Sequence, residues 1–351
     1  MNSILQSVSR PAYALPENLQ AAIGKILLKH NTHLQDSRRL AEAVLRMSDF
    51  YIDQPEKSTP WKEAWCQIAQ LVYFLPLNFL RARAVHDEAR KQNFIVASEI
   101  FDFGSGLGAG SLPMLQNFKG SAHFTENSTE AQSLHQQLLN ELNLSGRFDW
   151  NSEQKFLNQL GSSSAHAGRT ALFSYSLTEL DTLPKWALEM ENLILIEPSA
   201  RQDGRKLLQV RKNLLAEGFR LWAPCPHQQA CPLLENSKTD WCHDRIHFSL
   251  PSWFLEMEKH LPMKNQTLTF SYLLASRQAP PAENRWRTVG DQQQEKGKTR
   301  QMICRGPERE FLAWLSRHGT PPEIPRGVLI EPPDPIEIKG SEIRELRSTN
   351  S

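Results

Sequence analysis

The sequence predicts an α/β fold, a doubly wound and mostly parallel sheet with helices on its faces. Three observations predict it. From about Phe94 short apolar runs alternate with helical stretches. A glycine-rich turn follows the first of those runs directly. The 351 residues are 40% apolar, enough for a core of that size.

The elements follow in order. Leu19, Ile23, Ile26 and Leu27 keep helical spacing after Pro16, and Leu40, Val44, Met47 and Tyr51 repeat it before the prolines at 55 and 60. A third helix, carrying Trp61, Trp65, Ile68, Leu71 and Val72, is expected to stop before Pro76, and Phe79, Ala82 and Val85 mark a fourth. Residues 1–92 therefore read as an N-terminal helical cap. The expected strands are 99–103, 122–125, 147–149, 170–175, 193–196, 219–223 and 268–275, within a domain spanning 93–276. Residues 277–351 turn rich in Pro, Gln, Lys and Arg. From Arg277 to Arg317 there are nine basic residues against five acidic, which marks a basic C-terminal arm.

Bulk properties narrow the function. Charged residues are 23% of the chain and sum to +1, so overall charge does not single out a nucleic-acid partner. No stretch approaches the roughly 18 apolar residues of a membrane span; the most apolar run, Leu71–Leu80, contains Pro76 and Asn78. The N-terminus has no continuous apolar segment of the secretory kind. A cytoplasmic monomer without a membrane contact is expected, with an organellar presequence left open. Five cysteines in such a chain point to core thiols or metal ligands rather than disulfides.

The glycine turn is Asp102-Phe103-Gly104-Ser105-Gly106-Leu107-Gly108. Glycines there let the backbone turn sharply and approach a ligand, beside the free N–H groups of the next helix. Gly104, Gly106 and Ala109 also satisfy the dinucleotide fingerprint, so a nicotinamide or flavin cofactor must be weighed. Asp102, two positions before the first glycine, and Gly108, which completes G-x-G-x-G, favour S-adenosylmethionine. Glu126 closes the second strand, where an acid holds the ribose hydroxyls of either cofactor. The candidate cofactor residues are thus Asp102, Gly104, Ser105, Gly106, Gly108 and Glu126, in the class I S-adenosylmethionine methyltransferase-like form of the sheet. Neither Ser174-Tyr175-Ser176-Leu177 nor Glu197-Pro198 names a general base, and the catalytic residues stay unknown.

Cys225, Cys231 and Cys242 crowd the loop 224–248 after the sixth strand, with Cys304 as a possible fourth and Cys66 isolated on the cap. Thiolates gathered beside prolines suit a soft metal or an iron–sulfur cluster, while His227, His243 and His247 keep a mixed Cys/His zinc site open. Unliganded thiols are the alternative.

Taken together, Asp102-Phe103-Gly104-Ser105-Gly106, Ser174 to Leu180, Ile196-Glu197-Pro198, Ala223 to His227, Cys231-Pro232, Asp240 to His243 and Phe270 to Leu273 resemble the methyltransferase-like family of the mitochondrial small ribosomal subunit and its bacterial relatives. The family follows its Glu-Pro with Gly and Thr, where this chain has Ser199-Ala200. The resemblance implies a cysteine-rich, cluster-binding insertion, with Cys225, Cys231, Cys242 and Cys304 holding a 4Fe-4S cluster. It also implies association with the small ribosomal subunit in assembly or translation. rRNA methylation or a non-catalytic assembly role would follow, in the cytoplasm or, in a eukaryote, the mitochondrial matrix. A zinc-binding Rossmann enzyme is the competing expectation. Arg285, Arg287, Lys296, Lys298 and Arg300 lie near Cys304 in sequence, which predicts an rRNA-binding face pinned by the cluster.

Overall fold

Residues 5–9, 12–144, 148–150, 155, 168–282 and 284–345 are described by a computed structural model of the chain. Short, β-rich apolar runs become the central strands β1 (Glu99–Phe103), β2 (Ser121–Thr125), β3 (Phe148–Trp150), β4 (Arg169–Ser174), β5 (Asn192–Glu197), β6 (Arg220–Ala223) and β7 (Leu268–Ser276). Each overlaps its expected segment; Arg147, expected to open the third strand, lies outside the described residues. Their order is β3-β2-β1-β4-β5-β7-β6. The pairs from β3 to β5 are parallel, and β7 runs antiparallel to both β5 and β6. That reversed strand is the arrangement of class I methyltransferase-type sheets. The order turns back between β1 and β4, and ligands of such sheets bind at the carboxyl ends beside that point.

The N-terminal helices α1 (Glu17–Leu28), α2 (Ser37–Asp53), α3 (Ala64–Ala69) and α4 (Leu75–Lys91) cover one face. Their buried Leu19, Ile23, Val44 and Leu80 share a continuous apolar core with Ile100, Phe124, Leu172 and Ile194 of the sheet. Pro76 does not end the third helix as expected. Residues Gln70–Phe74 form a π-helical turn joining α3 to α4, and Pro76 sits at the start of α4. On the other face α7 (Arg201–Ala216) covers Phe101, Phe173, Leu195 and Leu273. The short α5 (Leu112–Leu115) and α6 (Thr129–Glu141) pack on the same side as the N-terminal helices, with Leu112, Leu115, Leu134 and Leu138 in that core.

The expected basic arm is instead a folded sheet. Strands β8 (Trp286–Thr288), β9 (Gln293–Glu295), β10 (Lys298–Cys304), β11 (Glu310–Leu315), β12 (Leu329–Ile330), β13 (Ile336–Lys339) and β14 (Glu342–Glu345) pair into it. They enclose their own core of Trp286, Ile303, Leu312, Trp314, Ile330 and Ile343. Its basic residues are largely spoken for. Arg287 is 1% exposed and paired with Asp244, Lys298 pairs with Glu295 and Glu342, and Arg300 pairs with Glu295. The excess of positive charge counted along the sequence is therefore not an equal excess of free cations.

Candidate cofactor cavity and cysteine site

The carboxyl ends of β1, β2 and β4 open into a cavity of about 1500 Å³. Gly104, Ser105, Gly106 and Glu126 line it, but Asp102 and Gly108 do not. Asp102 works from behind the loop. It is 1% exposed, and its Oδ2 accepts the Ser111 hydroxyl at 2.6 Å. The loop is tied to the end of β2, where the Ser105 N–H donates to the Thr125 carbonyl at 3.0 Å. Gly104, Gly106 and Gly108 have φ of +64°, +51° and +76°, the left-handed region where glycine is least strained. Glu126 Oε2 accepts the Gly106 N–H at 3.0 Å and Oε1 the Ser128 N–H at 2.9 Å. Each oxygen keeps a second lone pair, and Glu126 lines the cavity.

Another part of the wall is Tyr175, Ser176 and Glu179 after β4, with Trp61 and Lys62 from the segment before α3. The nearest atom to a side chain built on Gly106 would be Trp61 Cζ2, at 3.8 Å, so the indole faces the loop. Tyr175 adopts φ +63°, a conformation costing a bulky residue on the order of 1–3 kcal/mol. It is held by its N–H to the Ile196 carbonyl at 2.8 Å and by the Thr178 hydroxyl on its own carbonyl at 2.9 Å. The hydroxyls of Ser105 and Ser176 are buried without a partner among the described residues. Glu197 lies beneath this wall, accepting the Leu177 N–H at 3.1 Å, and leaves Pro198 and Ser199 to line the cavity.

The cysteines meet elsewhere. Cys225 follows β6, Cys231 precedes α8 (Pro232–Glu235), Cys242 precedes a short strand Asp244–Ile246, and Cys304 ends β10. All four line one small cavity between the two sheets, while Cys66 is buried in the helical layer. The other polar side chains of the lining are Arg211, Arg287 and Tyr272, and among the described residues no carboxylate lines it. Burial pushes the Cys242 thiol up to about 12 and raises those of Cys231 and Cys304, each further lifted by its neighbouring cysteines. Among the described residues no three His, Cys, Asp or Glu side chains are grouped as one metal ion would need. The three histidines disperse. His227 Nε2 is 3.2 Å from Cys304 Sγ, His243 stacks on Trp241 and touches Arg326, and His247 is exposed.

A family profile described as "Mitochondrial small ribosomal subunit Rsm22" matches residues 66–319. The chain belongs to that family. No curated protein matches this Rsm22-family chain. Among solved structures it is similar to PH1948 from Pyrococcus horikoshii, at 14% identity over 56% of this chain and 83% of that one, with a TM-score of 0.35. TrmK of M. capricolum in complex with S-adenosyl-homocysteine gives 9% identity, 56% and 69% coverage and 0.33. The [4+2]-cyclase SpnF gives 13%, 77%, 100% and 0.33. Scores this low carry no weight for the site, which rests on its own geometry.

Helix α7 positions the cysteine loop of the Rsm22-family chain, and none of its residues were among the candidates read from the sequence. Arg205 Nη1 donates to the carbonyls of Ser237 at 3.0 Å and Asp240 at 2.9 Å. A Cβ on Gly204 would meet Trp241 Cδ1 at 2.3 Å, so the helix and loop approach more closely than any side chain allows. The available signal was a glycine inside a helical pattern, which costs stability unless something packs against it.

Two buried acids make stability depend on pH. Burial raises Asp102 from 3.8 to about 7 and Glu197 from 4.5 to about 8, opposed by the Ser111 hydroxyl and the Leu177 N–H respectively. Between the ordinary and the raised values the folded chain binds more protons than the unfolded one, so stability falls as pH rises through that window. The melting temperature of wild type is expected to drop by several degrees from pH 5 to pH 8. Asp102→Asn with Glu197→Gln should flatten that trend; parallel melting profiles for the two proteins would contradict it.

Proposed function

We propose that this chain is an S-adenosylmethionine-binding, methyltransferase-like protein that works with the small ribosomal subunit and its rRNA, and that Cys225, Cys231, Cys242 and Cys304 hold a 4Fe-4S cluster. The observation that carries the cofactor assignment is charge. Among the described residues the cavity is lined by four acids, Glu63, Glu126, Glu130 and Glu179, and two bases, Lys62 and Arg81. Glu179 is raised by burial and by Glu126, so the two carboxylates share one space that favours a cation. S-adenosylmethionine brings a sulfonium and an ammonium; a dinucleotide brings a pyrophosphate that these acids would repel. Gly104, Ser105 and Gly106 would hold its methionyl part and Glu126 its ribose, while Asp102 and Gly108 shape the loop from behind.

In a calorimetric titration S-adenosylmethionine is expected to bind and NAD to fail. Gly106→Arg should remove binding because its side chain would enter the cavity beneath Trp61. Binding of NAD alone, or unchanged affinity in Gly106→Arg, would overturn the assignment. Ser174-Tyr175-Ser176-Leu177 stands where amino-methylating enzymes carry an Asn or Asp followed by prolines and an aromatic. That favours a cofactor-binding assembly factor as the second reading beside rRNA methylation. Transfer of labelled methyl to small-subunit rRNA separates the two.

The donor set supports the cluster: among the described residues, four soft thiols, two cations and no carboxylate surround one cavity. A cubane takes one thiolate per iron, so its ligands stand around a cage instead of converging on a point, as a single zinc ion would require. Bound metal would also hold these thiols as thiolates, against the effect of burial. Protein purified without oxygen is expected to contain iron and sulfide, and to sediment with small ribosomal subunits in a salt-dependent way. Stoichiometric zinc without iron refutes the first expectation; absence of sedimentation at every salt concentration refutes the second. Among the described residues no helix is long and apolar enough to cross a membrane. The family description favours the mitochondrial matrix over the cytoplasm.

A further inference from the structure

Two guanidinium groups line the cysteine cavity, and one of them has incomplete bonding. Arg287, on β8, is 1% exposed. Its Nη2 donates to both oxygens of Asp244 at 2.7 and 2.6 Å and faces the Tyr272 hydroxyl at 3.3 Å. Its Nε and Nη1 are buried with no partner among the described residues. Arg211, on α7, donates Nε to Cys225 Sγ at 3.1 Å and Nη2 to the carbonyls of His227 and Gln229 at 3.3 and 2.8 Å. Both side chains line the cavity with the four thiols, and Asp244 does not.

Buried N–H groups of a cation are costly when unpaired, so their persistence points to an acceptor. Among the described residues, the other polar side chains of the lining are the four thiols and the Tyr272 hydroxyl. The missing acceptor must therefore be anionic, soft and held by sulfur. A 4Fe-4S core with four thiolates carries net negative charge and presents sulfide and thiolate lone pairs, and hydrogen bonds to its sulfurs help set its potential.

We propose that Arg287 and Arg211 are the counter-charges of the cluster: Nε and Nη1 of Arg287 and Nε of Arg211 donate to its sulfur atoms, and so raise its reduction potential and slow its loss. This rests on the cluster assignment above. Arg287 comes from the C-terminal sheet and Arg211 from the main sheet's helix, so each half of the molecule supplies one cation as well as cysteine ligands. They are positioning residues, since neither replaces a thiolate.

The test uses full-length protein reconstituted anaerobically with iron and sulfide. Iron and sulfide content, the midpoint of a redox titration followed by electron paramagnetic resonance, and the rate of cluster loss in air are measured. Arg211→Gln leaves the Asp244 pair untouched. Arg287→Gln is made together with Asp244→Asn, so that no carboxylate is left buried alone. Both proteins are expected to bind iron, to show a more negative midpoint than wild type, and to lose the cluster roughly tenfold faster or more, as outer-shell changes at metal sites do. Arg211→Lys, which keeps the charge, should stay closer to wild type in midpoint than Arg211→Gln. A wild-type midpoint and lifetime in both charge-removing variants overturns the proposal while the cluster assignment stands. Wild type that takes up no iron and sulfide overturns the cluster assignment, and the proposal with it.

Discussion

Asp244→Ala is expected to lower the free energy of unfolding by roughly 3–5 kcal/mol, the cost of leaving one partner of a buried ion pair alone. The side chains of Arg287 and Asp244 are 1% and 7% exposed, so water cannot replace the lost carboxylate. Among the described residues Arg287 already has no partner for Nε and Nη1, and the substitution would leave Nη2 with the Tyr272 hydroxyl alone. Because Asp244 belongs to the main sheet and Arg287 to the C-terminal one, the loss should also loosen the junction between them. Asp244→Asn with Arg287→Gln removes both charges and should recover most of the stability. Chemical denaturation of metal-free protein gives the answer: a cost for Asp244→Ala near that of an exposed pair, about 0–1 kcal/mol, would show the pair to be screened.

Gly108→Ala is the second large effect. A Cβ there would lie 2.3 Å from His135 Nε2 and 2.5 Å from its Cε1. The imidazole is fully buried, with Phe124 and Trp150 at ring-centroid distances of 4.6 and 4.9 Å, and cannot retreat. Burial also depresses this histidine to about 3, so it packs as a neutral ring. Left-handed backbone and overpacking together should cost roughly 2–5 kcal/mol and displace the loop enough to weaken S-adenosylmethionine binding. Gly297 is the control. It has φ +80° but nothing within 4 Å of its would-be Cβ, so Gly297→Ala should cost only the backbone part, roughly 1–2 kcal/mol. Equal losses at the two positions would disprove the steric account.

These effects show where the sequence was readable. Strands 99–103 and 268–276 announce themselves because their runs are apolar and bounded by glycines, prolines and polar residues. The glycine loop was legible for the same reason: its spacing states a backbone requirement. The C-terminal sheet was hidden because β10 alternates Thr299, Gln301 and Ile303 inward, and two of those three are polar. Gln301 is tolerated inside only because its Nε2 donates to the carbonyls of Gly290 at 2.9 Å and Ile324 at 2.8 Å, partners that no local pattern reveals. Arg287 was read as a surface cation for want of any sign of Asp244, 43 positions away. Asp102 was legible as important, but whether it faces the cavity or supports the loop depends on Ser111, which the glycine pattern does not include.

One contact bears on how such a chain is finished during synthesis. The Leu5 side chain is buried in the core of the C-terminal sheet, and its N–H donates at 2.9 Å to Glu345 Oε1, 340 positions later, whose other oxygen accepts the Trp314 indole at 3.1 Å. One segment is thus sealed by another that a ribosome adds 340 residues later. Until Glu345 has been added, Leu5 and Trp314 lack their shared acceptor, and an unfinished product presents an apolar opening to chaperones and proteases. A closure of this span therefore forms only once the C-terminal sheet has left the ribosome.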